Sequence, residues 1–404
     1  MQRTIVVIGG GPAGTCAAIA AKKQDPSSTV RLLTLERCEP YEKPPLSKAV
    51  LLGTASPSDA LIAGPAGVAS HGVILETGAC CTAIDRGTRT VIVADGRRFG
   101  YDALVIATGS TPREIPLLPP GMPSVHYLRS EADARALRSR LQPGRALVVV
   151  GGGLIGLEVA AAAAALDVRV TVLEVAPRIL ARVCDERTAS AVHAAHVGHG
   201  VDIRVSKTLT SATPHEDGRI SVTANNGERF AADFVVVGTG SKPDDAVAAG
   251  AGLATDDGII VDAQCRTSDA AVFAAGDAVR FPGPDRLVRL ENWRHALDQG
   301  TVAGRNAAAG SETYNPVPSF WSEQYDLYIQ GVGWPDARSS AVHRHLGGDH
   351  TLVFDVSDGR LVYAMGISAQ RDLAAARRLI ERRIAVDAGA LADPAQPLAA
   401  MLKR

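Results

Sequence analysis

Residues 4–14 read Thr4-Ile5-Val6-Val7-Ile8-Gly9-Gly10-Gly11-Pro12-Ala13-Gly14. A β-branched apolar run stops at a glycine-rich turn and an alanine-rich stretch follows, which predicts strand, turn and helix. In such a turn Gly9 permits the tight bend and Gly11 lets the backbone approach a diphosphate. Gly14 allows close packing of helix on strand, and the phosphates sit at the helix N-terminus. A second apolar strand, Val30 to Leu35, ends in Glu36. That is the distance at which a carboxylate takes a ribose hydroxyl pair.

The same text recurs. Arg145 to Val150 reads as a strand, Gly151-Gly152-Gly153-Leu154-Ile155-Gly156 as the turn and Leu157 to Ala165 as an alanine-rich helix, before a strand from Val168 to Leu173 that ends in Glu174. One G-x-G-x-x-G is a common geometric accident, whereas two complete copies, each with strand, helix and terminal acid, predict two dinucleotide sites. Glu174 favours NADH over NADPH, because a carboxylate accepts from a free 2′-hydroxyl and repels a 2′-phosphate. Arg178, four residues on, is the competing feature.

Composition narrows the function class. The chain has 404 residues, 46% of them hydrophobic, enough for two or three domains. Its 42 basic and 43 acidic side chains leave a net charge of -1, so no global field draws it to nucleic acid or to a membrane. No apolar run reaches the length of about 18 residues that spans a bilayer. Thr4 to Ala21 imitates a signal peptide but contains the fingerprint glycines. Cys16, Cys38, Cys80, Cys81, Cys184 and Cys265 form no C-x-x-C pair, which suits reduced thiols in a cytoplasmic protein. His193, His196 and His199 recur every three residues, yet nothing completes a metal set, so they read as surface histidines and no metal is expected.

Tyr101 to Ala107 leads into Thr108-Gly109-Ser110, and Phe234 to Val237 into Gly238-Thr239-Gly240, like chain crossings between domains. Val272-Phe273-Ala274-Ala275-Gly276-Asp277 places an aspartate after an apolar strand, where it suits flavin ribitol hydroxyls. Together these elements resemble the two-dinucleotide-binding flavoproteins. Pro40-Tyr41-Glu42-Lys43-Pro44-Pro45-Leu46-Ser47-Lys48 narrows the resemblance to the ferredoxin, rubredoxin and putidaredoxin reductase family, which serves Rieske oxygenases and bacterial cytochromes P450. So do Arg289-Leu290-Glu291-Asn292-Trp293 with Ala296 and Gln299, and Phe320-Trp321-Ser322-Glu323-Gln324. The likeness runs from Ile5 to about Leu398.

The resemblance implies an α/β chain with two Rossmann-like dinucleotide-binding domains in the glutathione-reductase-like arrangement, plus a C-terminal α+β domain. FAD binding is expected from residues 1–111 and 239–315, NAD binding from 112–238, with the C-terminal domain at 316–404. For FAD it implies Gly9, Gly11, Pro12, Ala13, Gly14, Glu36, Arg37, Lys43, Pro44, Lys48, Ala107, Thr108, Gly109, Arg129, Gly276, Asp277, Glu291, Asn292, Trp293 and Trp321. For NADH it implies Gly151, Gly153, Leu154, Ile155, Gly156, Glu158, Glu174, Gly238, Thr239 and Gly240. Lys48, Glu158 and Trp321 are the expected catalytic residues: an ammonium for the reduced flavin, an acid near the nicotinamide amide, and an aromatic packed over the flavin. Departures from the family pattern are Asn292 where Ser or Thr is common, Ser319 where an aromatic is common, and Gly-Gly-Gly-Pro in the first turn.

The expected chemistry is hydride transfer from NADH to FAD, which needs stacked rings within about 3 to 3.5 Å more than acid–base help. In related NADH peroxidases and oxidases a redox cysteine matches Lys48. Its absence makes electrons leave the flavin directly, either to oxygen or to a one-electron acceptor at the protein surface. The resemblance implies the latter, single electrons passed to a [2Fe-2S] ferredoxin that supplies a Rieske-type oxygenase of aromatic hydrocarbon catabolism. The alternatives are a cytochrome P450 system fed through ferredoxin or rubredoxin, an NADH oxidase or monodehydroascorbate-type reductase, and, from another class, a redox-sensing flavoprotein. Arg371, Arg378 and Arg382 fall on one face of a helix expected from about Arg371 to Arg383, and would suit an acidic iron–sulfur partner. A monomer or homodimer is expected.

Overall fold

The β-branched run Thr4–Ile8 forms the centre of a five-stranded parallel sheet. The structure is a computed structural model that describes residues 2–336, 338–347 and 350–403. Across this first sheet the order is Val272–Ala274, Ala103–Ile106, Thr4–Ile8, Thr29–Leu33 and Ile74–Glu76. Strands covered on both faces read as unbroken apolar runs, and Ala103–Ile106 and Val272–Ala274 are buried throughout.

A second sheet repeats the plan: Asp202–Arg204, Arg169–Leu173, Ala146–Val150, Phe234–Val237 and Val125–His126. One strand breaks the equivalence. In the first sheet the strand beside Ala103–Ile106 arrives late in the chain, at Val272–Ala274, whereas in the second the strand beside Phe234–Val237 precedes the fingerprint, at Val125–His126.

The chain divides into two compact units. The first holds Met1–Pro45, Ser56–Thr111 and Ser241–Pro316, with the first sheet. The second holds Leu46–Ala55, Pro112–Gly240 and Val317–Arg404, with the repeated sheet and an antiparallel C-terminal one. That C-terminal sheet runs Ser319–Gln324, Leu327–Gly333, Arg360–Ile367, Thr351–Ser357 and Ser340–His345, and helix Gln370–Glu381 buries Leu373, Ala376 and Leu379 in the adjoining core. Ser110–Pro112 and Ser241–Pro243, which follow the two Thr-Gly segments, pair as a two-stranded ribbon where the chain crosses.

Some boundaries differ from expectation. The strand expected to reach Leu35 stops at Leu33, and Leu35 is exposed as the chain turns toward Glu36. The second fingerprint helix begins at Leu154 rather than Leu157, capped by the backbone of Gly153, so Gly156 lies inside its first turn.

In the first unit helix Trp293–Ala307 packs against helix Pro12–Gln24 through two glycines one turn apart. A side-chain carbon at position 300 would lie 2.2 Å from the carbonyl oxygen of Ala13, and one at position 304 2.1 Å from that of Ala17. Because the neighbour is backbone, it has no rotamer to yield. The Gly304→Val variant is expected to lose about 3 kcal/mol, the upper end of ordinary overpacking. An unchanged urea midpoint would contradict this.

Candidate functional site

Two glycine-lined cradles come first. Gly9 and Gly151 sit at φ +108° and +111°, where a side chain would be strained. A side-chain carbon on Gly14 would fall 1.8 Å from the carbonyl oxygen of Gly9, and one on Gly156 2.2 Å from that of Gly151. Gly11 and Gly153 differ from these, since a carbon there would meet nothing within 4 Å. Both fingerprint helices start from those glycines without a side-chain cap and without an acid in the first turn. Uncapped backbone donors facing open space fit a diphosphate, so the cradles fit FAD and NAD.

In the first unit the segments expected at FAD emerge from the carboxyl ends of neighbouring strands: Gly9, Glu36, Ala107 to Gly109, and Gly276 with Asp277. Ligands of open α/β sheets bind there. Tyr41 Oη and Lys43 Nζ donate to the two carboxylate oxygens of Glu36 at 2.5 Å each, and the Lys43 ammonium also lies 4.2 Å from the Tyr41 ring centroid. Gly276 N–H donates to Gln299 Oε1 at 2.8 Å, and Ser110 Oγ donates to Asp277 at 3.2 Å. The Trp293 indole N–H donates to Glu42, a carboxyl that burial pushes above its usual range. Asn292 caps helix Trp293–Ala307 by accepting from His295 N–H at 2.9 Å, as Ser or Thr would. Lys48, Arg129 and Trp321, expected at the same cofactor, belong to the second unit.

The NAD set lies wholly in that second unit. Glu174 accepts from Gly152 N–H at 2.6 Å and from Ala176 N–H at 2.7 Å, one on each oxygen. A carboxylate has about four acceptor positions, so the two amides fix its direction and leave capacity for ribose hydroxyls. The Arg178 guanidinium is tethered to the carbonyls of Ile179, Leu180 and Ala181, each at 3.4 Å.

Among the described residues Glu158 is the acid this unit buries, 5% exposed within a helix otherwise made of alanine, valine, leucine, isoleucine and glycine. An unpaired carboxylate there would cost several kcal/mol. Lys48 Nζ lies 2.8 Å from Glu158 Oε2, with its side chain 17% exposed, and the buried Ser47 hydroxyl donates to the same oxygen. Ser322 Oγ donates to the other, Oε1, at 2.5 Å. Three distant chain segments thus meet on one carboxylate. Trp321 precedes Ser322 on the same strand and projects from its opposite face, half-buried, in register with Gln330.

Ser47, Ser322, Gln324 and His196 have no assigned role in the sequence analysis. His196 is a correction: the expectation of three surface histidines fails, because His196 is fully buried while His199 is exposed. Helix Glu186–Gly198 buries Ala189, Val192 and His196, spacings of three and four that put the imidazole on the core face. Burial holds its pKa below the usual value. The same cause brings His295 down to about 3. A buried imidazole that stays neutral while the unfolded chain takes a proton loses stability as pH falls below about 6.5, at roughly 1.4 kcal/mol per pH unit. Between pH 6.5 and 5.0 this amounts to about 2 kcal/mol for His295. Urea midpoints at the two pH values check it. His295→Gln is expected to show a shallower loss than the parent, and an identical loss would remove the attribution.

Four of the six thiols are held protonated by burial. Burial pushes the thiols of Cys16 and Cys81 up to about 11 and that of Cys184 up to about 12, and raises Cys265 further. Thiolates are scarce at such values. Among the described residues no cluster of His, Cys, Asp and Glu forms a metal site, and no helix is long and apolar enough to cross a membrane. Arg371, Arg378 and Arg382 are all exposed along helix Gln370–Glu381 and its C-cap.

Comparison with known proteins agrees with this geometry. Residues 3–300 match the family described as pyridine nucleotide-disulphide oxidoreductase, and residues 319–402 match the reductase C-terminal domain. The chain is 34% identical to the ferredoxin–NAD(+) reductase component of the p-cumate 2,3-dioxygenase system of Pseudomonas putida, across 98% of this chain and 97% of that one. It is 37% identical to the corresponding component of the anthranilate 1,2-dioxygenase system of Burkholderia cepacia, across 96% and 97%. A solved structure of the covalent putidaredoxin reductase–putidaredoxin complex superposes with a TM-score of 0.94 at 32% identity, covering 99% of this chain and 98% of that one. The chain therefore belongs to the pyridine nucleotide-disulphide oxidoreductase family, as an FAD- and NAD-dependent oxidoreductase of its ferredoxin–NAD(+) reductase branch.

Proposed function

We propose that this chain is the NADH-dependent reductase of a [2Fe-2S] ferredoxin that supplies a Rieske-type oxygenase in the cytoplasm. Residues 1–111 and 239–315 bind FAD, 112–238 bind NADH, and the C-terminal domain, 316–404, receives the partner. When bound, FAD supplies the conversion between a two-electron donor and a one-electron acceptor that side chains alone cannot perform. The protein's own residues bind, orient and balance charge. Gly9, Gly11 and Gly14 with Glu36 hold one dinucleotide, and Gly151, Gly153 and Gly156 with Glu174 hold the other. Lys48 supplies the positive charge that favours the reduced flavin.

The observation that carries the reading is the pairing of Lys48 with the buried Glu158 carboxylate, an ion pair where a thiol-based relay would need sulfur. The relatives named as dioxygenase components support the Rieske assignment, and the likeness to putidaredoxin reductase supports a second reading, supply of a cytochrome P450. Both require a small acidic iron–sulfur carrier. We assign its docking face to Arg371, Arg378 and Arg382, whose charge would steer the encounter. Reversing charge at Arg378 and Arg382 is expected to slow ferredoxin reduction at least about tenfold at low salt, as for electrostatically steered pairs. Reduction of a small neutral dye continues. Equal loss of both activities would remove the docking assignment.

A further inference from the structure

The bonds on Glu158 do not stop at Ser322. Gln324 Nε2 donates to Ser322 Oγ at 3.1 Å, and Gln324 Oε1 lies 2.8 Å from His196 Nε2. His196 Nδ1 lies 3.1 Å from Tyr325 Oη, and the Tyr325 ring stacks on the exposed His199 with centroids 3.7 Å apart. All these residues belong to the second unit.

The chain has one direction. Glu158 carries Lys48 and Ser47 on Oε2 and acts as an acceptor, so the Ser322 hydroxyl must donate to Oε1. Ser322 Oγ then accepts from the amide NH2 of Gln324. The amide oxygen is thereby turned to His196, which must carry its proton on Nε2 and leave Nδ1 to accept from Tyr325. Every donor points toward the carboxylate. Ser322, Gln324 and His196 are 1% exposed or less, so bulk water cannot replace a missing link. Tyr325 stands at φ +55° in the two-residue turn joining Ser319–Gln324 to Leu327–Gly333, a place that favours glycine. A bulky residue held there against strain points to a use for its side chain.

We propose that Gln324 is a positioning residue: clamped between His196 and Ser322, its amide fixes the polarity of a donor chain that ends on Glu158 and sets that carboxylate for the nicotinamide. The inference rests on the reading that Glu158 meets the nicotinamide end of NADH. The titratable neighbours are Glu158 and Lys48 at one end, and His193, His196, His199 and Tyr325 at the other.

The test uses the FAD-loaded full chain and reads the NAD+ dissociation constant from pH 5.5 to 8.5, with thermal unfolding beside it. Gln324→Met removes the amide and is expected to weaken NAD+ binding about tenfold, a loss of about 1.4 kcal/mol. Gln324→Glu separates positioning from mere clamping. Its carboxylate still accepts from His196 but now also accepts from Ser322, pulling that hydroxyl off Glu158. Binding is expected to be weaker than in Gln324→Met at high pH and to recover as pH falls, when the neutral acid again donates to Ser322. A structural clamp predicts the reverse: Gln324→Glu close to the parent at every pH and Gln324→Met the worse of the two. That ranking, or unchanged affinity in both, overturns the proposal. Glu158→Gln distinguishes the two levels. If it weakens NAD+ binding while the Gln324 variants do not, the positioning role alone fails; if it leaves binding unchanged, the reading of Glu158 fails and the positioning role with it.

Discussion

Replacing Glu158 by leucine is expected to cost about 3–5 kcal/mol of unfolding free energy, the range for removing one partner of a buried ion pair. The magnitude follows from what is left behind. Lys48 is 17% exposed and loses its counter-charge, while the hydroxyls of Ser47 and Ser322 lose the acceptor they share. Glu158→Gln is expected to cost less, about 1–3 kcal/mol, because an amide oxygen still accepts from a hydroxyl but does not balance the ammonium. Guanidinium unfolding of both variants checks the order. A leucine variant as stable as the parent would mean that the pair is held by its surroundings and contributes little.

The second large effect separates the cofactors. Gly156→Val drives a branched side chain into the carbonyl oxygen of Gly151, already 2.2 Å from the first added carbon, and also crowds Gly238, whose own added carbon would lie 3.2 Å from the Gly156 Cα. The second turn must open. NADH affinity is expected to fall at least about a hundredfold, equivalent to about 2.7 kcal/mol, while the protein still purifies yellow. Gly14→Val is expected to do the reverse, abolishing flavin retention, since its added carbon lies 1.8 Å from the Gly9 carbonyl oxygen. Absorbance at purification and NAD+ titration read the two outcomes. Joint loss of both cofactors from either variant would argue against independent cradles.

The cradles were legible in the sequence because each is local. Strand, glycine turn, helix and acid lie within about forty residues, and glycine is demanded by backbone geometry that few other residues satisfy. The Lys48–Glu158 pair was legible in its members but not as a pair, since nothing in the lysine at position 48 and a glutamate on an alanine-rich helix announces that the fold brings them to 2.8 Å across 109 intervening residues. Ser322 and Gln324 sit two apart on a strand, so alternation alone puts them on one face. What alternation cannot give is the partner across that face. His196 is the clearest case: its spacing from Ala189 and Val192 marked the buried side of the helix, but a polar residue on a core face identifies itself only when its acceptor, Gln324, is known. The strand Val125–His126 closing the second sheet was also invisible, being two residues long and set by tertiary pairing to Phe234–Val237.

The central claim, two nucleotide cradles serving one flavin with no reactive sulfur, is tested most directly by anaerobic NADH titration of the FAD-loaded protein. The account predicts that the flavin band bleaches fully with one equivalent of NADH per flavin, two electrons in all, and that alkylating the accessible thiols leaves the endpoint unchanged. An endpoint near two equivalents, four electrons, would place a redox-active thiol pair in the path and contradict it.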